Sequence, residues 1–102
     1  TSLSHGDCSK LEIAMALASD AQLLLLDEPM AGLGPTETKE MIALLKRLKG
    51  QRTILIIEHD MDAVFALADQ ISVLVSGKII ATGKPDTIRR DSKVQSAYLG
   101  EI

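Results

Sequence analysis

Two short stretches place reactive side chains directly after apolar runs. Asp27-Glu28 follows Leu23-Leu24-Leu25-Leu26 and is closed by Pro29, and Glu58-His59-Asp60 follows the run Thr53–Ile57. Adjacent residues at the end of a strand point to opposite sides, so Asp27 and Glu28 are expected to have different jobs. One carboxylate suits the water shell of Mg2+, a cation that keeps several waters and takes one or two carboxylates. The other suits a general base that accepts a proton from an attacking water. His59 could donate to a phosphate oxygen. A third stretch, Leu3-Ser4-His5-Gly6-Asp7, combines a hydroxyl and a glycine backbone just before a predicted helix, where free N–H groups attract anions. Each stretch also has a plainer role. Asp27 and Glu28 could begin a solvated loop, His59 and Asp60 could cap a helix or occupy a loop, and Ser4 or Asp7 could simply start a helix.

The apolar runs are the elements that must position these groups. A short, wholly apolar run bounded by breakers fits a strand buried on both faces, as in a parallel sheet. Open sheets of that kind place ligands at the carboxyl ends of their strands. Between the two runs, Gly32 and Gly34 mark a loop, Pro35 fits the first turn of a helix reaching about Lys49, and Gly50 is its expected stop. Leu11, Ile13, Ala14, Met15, Leu17 and Ala18 predict a well-buried helix over Cys8 to Ala18. Downstream, Asp60 can cap a helix over Met61 to Ala68. Ile71–Val75, Ser76-Gly77 and Lys78–Thr82 read as a hairpin. Asp86–Arg90 and Ser92–Leu99 read as two short helices. The order is that of an α/β protein with at least two parallel strands.

Composition narrows the function classes. The 102 residues carry a net charge of -3 with scattered Lys and Arg, which leaves no basic footprint for nucleic acid. Aromatic residues make up 2%, too few for base-stacking platforms. The single cysteine, Cys8, cannot form an internal disulfide, and two histidines with one cysteine are too few for a structural zinc site. No apolar run approaches the roughly 18–20 residues of a membrane span. The chain starts at Thr1, which suggests a piece of a longer protein.

Together the stretches resemble the C-terminal half of an ABC-transporter ATPase domain. Leu3–Asp7 is similar to the family signature LSGGQ, Leu23–Glu28 to the Walker B strand with its catalytic glutamate, Ala31-Gly32-Leu33-Gly34 to the D-loop, and His59 to the switch histidine. All four occur in the family's order and spacing. The resemblance implies a P-loop NTPase fold of the ABC ATPase type, with a mostly parallel sheet flanked by helices, a C-terminal hairpin and short helices. Within one such domain, 1–20 would hold the signature motif and its helix, 21–83 the core, and 84–102 a helical tail. It implies ATP and Mg2+ as ligands. Asp27 would hold Mg2+ through water, Glu28 would activate the attacking water and His59 would contact the γ-phosphate. Ser4 and Gly6 would bind the γ-phosphate of ATP held by the other subunit of a head-to-tail dimer, and Leu33 and Gly34 would lie at that dimer interface. His5 for glycine, Asp7 for glutamine and Gly34 for aspartate depart from the family pattern.

Leu11–Ala18, Glu58–Val64 and Ala97-Tyr98-Leu99-Gly100-Glu101 are similar to ATPases of branched-chain amino-acid importers. That likeness implies permease partners, a solute-binding protein acting indirectly, no nucleic acid, and a peripheral position on the cytoplasmic face of a bacterial inner membrane. Urea importers and lipopolysaccharide exporters share parts of the pattern. No GxxxxGKS or GxxxxGKT occurs, so the phosphate-cradling loop is absent from these residues. In the family's sheet the P-loop strand lies between Thr53–Ile57 and Ile71–Val75. The 102 residues alone are therefore expected not to hydrolyse ATP, and to fold marginally or by pairing. A non-transport ABC ATPase, a magnesium-dependent phosphatase or nuclease and a non-catalytic interaction fragment are the competing expectations.

Overall fold

The computed structural model describes residues 5–99, and the chain divides after Asp60 into two compact units. The first unit contains α1 (His5–Ala18), β1 (Leu23–Asp27), α2 (Pro35–Lys49) and β2 (Thr53–Ile57). β1 and β2 pair in parallel, with Leu23 opposite Thr53 and Asp27 opposite Ile57. A helix between the two strands is what a parallel pair requires, because its ends cannot be joined by a tight turn. Pro35 occupies the first turn of α2. The Gly34 carbonyl accepts from the Thr38 N–H at 2.9 Å, and Glu37 Oε1 accepts from the Gly34 N–H at 3.4 Å. Met41, Leu45 and Leu48 are the buried face of α2, spaced four and three residues apart as its period demands.

β1 departs from the expected two-faced burial. Leu24 and Leu26 are buried, whereas Leu23, Leu25, Leu55 and Ile57 are exposed, with Leu25 at 61% and Ile57 at 62%. Strand side chains alternate between faces, and here one face of the pair is covered and the other is not. α1 also differs. It begins at His5, three residues before the expected start, so Gly6 and Asp7 lie in its first turn rather than ahead of it. Leu11, Met15 and Leu17 are exposed and Ile13 is buried. The apolar residues of α1 spread over more than one face, and among its described side chains Ile13 alone is fully covered while Ala16 is half-buried. Gly50 ends α2 with right-handed backbone angles, φ -76 and ψ -14. The stop is thus not a left-handed glycine cap; the Gln51 and Arg52 N–H groups both donate to the Leu48 carbonyl, at 2.9 and 3.0 Å.

The second unit contains α3 (Met61–Leu67), the antiparallel hairpin β3 (Ile71–Val75) and β4 (Lys78–Gly83), α4 (Pro85–Arg90) and α5 (Ser92–Val94), which runs into a π-helical turn at Gln95–Leu99. Ser76 and Gly77 have φ of 51 and 78, the two positive values of the turn whose twist matches a hairpin. The pairs Leu74 with Ile79 and Val73 with Ala81 leave Ile80 as the extra residue of a bulge. Ile71, Val73, Ile88 and Val94 form the core of this unit. Each such side chain contributes about 1.5–3 kcal/mol on burial. Asp91 separates the last two helices, accepting from the Lys93 and Val94 N–H groups at 2.8 and 3.2 Å. The Tyr98 hydroxyl donates to the Leu74 carbonyl, fastening the tail to the hairpin. The expected single helix over Ser92–Leu99 is therefore one α turn followed by a π turn.

β1–β2 and β3–β4 are separate two-stranded sheets, so among the described residues every strand is an edge strand. No helix of the described residues is long and apolar enough to cross a membrane.

Candidate functional site

Parallel register brings the two acidic strand ends together. The pairing continues one step past Asp27, where the Glu28 N–H donates to the Ile57 carbonyl at 2.7 Å. At Glu28 the backbone turns sharply, with φ of 49. A left-handed conformation costs a non-glycine residue about 1–2 kcal/mol, so the surrounding structure must hold it there. Two contacts do so: the Ile57 bond before it, and the Ala31 N–H donating to the Glu28 carbonyl at 3.1 Å. Pro29 and Met30 are buried immediately behind it and anchor the loop.

This bend separates the two carboxylates. Asp27 is exposed and borders the shallow apolar hollow over Leu25, Leu26, Leu55 and Ile57. Glu28 lies instead beside the loop after β2, where its Oε1 is 2.9 Å from His59 Nε2. Glu28, Glu58 and His59 each bring one ligand atom to within 4.8 Å of the others. The two carboxylates at the end of this parallel strand pair can accept from the waters of a hydrated cation, and the imidazole N–H can donate to a phosphate oxygen. Asp27, expected to hold magnesium through water, is not part of that group.

Glu58 stands in the second reactive stretch of the sequence, where no role is assigned to it. Its Oε2 accepts from the Met30 N–H at 3.1 Å, and its Oε1 accepts from the N–H groups of His59 at 3.1 Å and Asp60 at 3.4 Å. An acidic residue at a strand end was visible in the sequence, but a bond to a backbone group 28 residues away was not. Gly6 lies in the first turn of α1, and Ser4 lies outside the described residues. In the loop between β1 and α2, Gly32 has φ of 77 and the Leu33 N–H donates to the Met30 carbonyl at 3.1 Å. Gly34, by contrast, is extended, with φ -76 and ψ 176, a conformation open to any residue.

The model of the ABC transporter family matches residues 1–31, and that of the branched-chain amino acid ATP-binding cassette transporter matches residues 78–101. The chain is 45% identical to the high-affinity branched-chain amino acid transport ATP-binding protein LivG of Escherichia coli, over 99% of this chain and 40% of that protein. This chain belongs to the ABC-transporter ATP-binding family. It is 43% identical to the BraF counterpart of Pseudomonas aeruginosa, over 97% of this chain and 40% of that one. Among solved structures, a nucleotide-free ATP-binding cassette of an ABC transporter superposes with a TM-score of 0.80 at 34% identity, covering 97% of this chain and 41% of that one. The fold is accordingly part of that of the ABC ATPase cassettes, a P-loop NTPase fold. This family member spans about two fifths of the length of the curated relatives it matches.

Proposed function

We propose that this chain is the part of an ATP-hydrolysing ABC-transporter subunit that activates the water attacking the γ-phosphate, and that the complete subunit energises import of branched-chain amino acids. The observation that carries the hydrolytic part is the 2.9 Å approach of Glu28 and His59 at the ends of two parallel strands. The named function of the LivG and BraF relatives supports the transported substrate.

In this reading the complete subunit binds ATP with Mg2+, which supplies the phosphoanhydride bond and neutralises developing charge. Glu28 accepts the proton of the attacking water at its carboxylate. The Nε2–H of His59, which faces Glu28 here, donates to a γ-phosphate oxygen in exchange for that contact, since a single N–H serves one acceptor at a time. Asp27, one residue earlier and on the other side of the strand end, holds the cation through water. Ser4 and Gly6 serve the nucleotide of a second ATPase subunit in a head-to-tail dimer, and Leu33 and Gly34 lie along that interface. The chain divides by role into 1–20, 21–83 and 84–102. Permease subunits hold the dimer at the cytoplasmic face of the membrane, and a solute-binding protein acts through them. The 102 residues alone do not turn over ATP, because they contain no phosphate-cradling loop.

Glu28→Gln in the complete subunit tests the assignment. Hydrolysis falls by about 10²–10⁴-fold, the range for loss of a general base, while ATP-driven dimerisation persists. Wild-type turnover in that variant removes Glu28 from the mechanism. Magnesium-dependent turnover by the isolated 102 residues refutes the claim that they are inactive alone.

A further inference from the structure

We propose that Glu58 is the positioning residue for His59, a clamp that ties the loop carrying the histidine to the loop that follows Glu28. The inference rests on the ATPase reading above and adds a residue to it. The His59 side chain is 74% exposed, so packing does not hold the imidazole in place. Its aim depends on where the backbone of residues 58–60 sits. Glu58 sets that position through both of its oxygens. Oε1 takes the His59 and Asp60 N–H groups, and Oε2 takes the Met30 N–H. Met30 is a fixed point, because it and Pro29 are buried. Glu28 lies two residues before Met30, so one carboxylate holds the two loops that carry the base and the histidine.

A carboxylate suits this task, since both of its oxygens accept and bonds to an ionised acceptor are the stronger kind. Glutamine has a single side-chain oxygen. It can serve Met30 or His59, and its NH2 group then faces the other N–H. Glu58→Gln thus opens one end of the clamp with little change of volume.

The test uses the complete subunit that carries this chain. Expected in Glu58→Gln is a kcat lowered about tenfold with KM for ATP unchanged, together with an unchanged thermal midpoint. Expected in the His59→Ala background is no further loss from Glu58→Gln, because a residue that acts only through His59 has nothing left to position. Without nucleotide, hydrogen–deuterium exchange is expected to speed up in peptides spanning Met30 and His59. Unchanged exchange at both peptides, or the full Glu58→Gln cost retained in the His59→Ala background, overturns the inference. Should Glu58→Gln unfold, Glu58→Asp replaces it: the shorter side chain keeps His59 but loses Met30, and unchanged exchange at Met30 overturns the clamp. If the wild-type subunit shows no ATP turnover, the ATPase reading fails by itself, and the exchange measurement alone decides the clamp.

Discussion

Glu28 is held in a left-handed conformation at the end of β1, and this turns its carboxylate toward His59 and away from Asp27. This conformation makes a prediction that distinguishes chemistry from folding. Glu28→Gln keeps an unbranched side chain at this φ and leaves the thermal midpoint of the complete subunit unchanged. Glu28→Val puts a β-branched residue there and is expected to cost about 1–2 kcal/mol more in denaturant unfolding. Equal stability of the two variants would mean that the bend is not maintained in solution.

At the scale of elements, the glycines separate into those the backbone requires and those it does not. Gly77 has φ of 78 in the hairpin turn, and a side chain there is strained although it meets nothing within 4 Å. Gly50 is right-handed and equally open. Gly77→Ala is therefore expected to lower stability by about 1 kcal/mol, and Gly50→Ala to raise it by about 0.4–1 kcal/mol. Opposite shifts of the thermal midpoint check the pair. Gly34 precedes α2 in an extended conformation, where a Cβ would lie 3.8 Å from Glu37 Oε1. Gly34→Asp supplies the side-chain acceptor that this helix start lacks, and a gain of a few tenths of a kcal/mol is expected in the same measurement.

At the scale of the whole molecule, the sheets and the apolar surface carry one consequence. Leu23, Leu25, Leu55 and Ile57 are exposed together on one face of the parallel pair, and among the described residues each strand has an unpaired edge. Contiguous apolar surface and open strand edges both promote association. The isolated 102 residues are expected to sediment as concentration-dependent oligomers, and Leu25→Lys with Leu55→Lys is expected to shift them toward monomer. A monomeric wild-type chain that unfolds cooperatively contradicts this expectation.

Much of the fold was legible because its signals are local. Apolar runs of strand length, Pro35 at a helix start and Ser76-Gly77 between two strands depend on a few neighbouring residues, and all of these elements form where expected. Burial was less legible. The apolar patterns of α1 and β1 call for partners on every side, and only the packed chain shows which faces receive them. The candidate site divides in the same way. Asp27, Glu28 and His59 could be picked out by residue type and by their place after apolar runs, and the signature and loop residues by family likeness. The left-handed turn at Glu28, the meeting of Glu28 with His59 and the three bonds of Glu58 depend on β1 and β2 being aligned in one register. The sequence by itself determined which groups stand at the strand ends; the pairing of residues about 30 positions apart decided which of them meet, because hydrogen bonds and charge act over ångströms of space rather than along the chain.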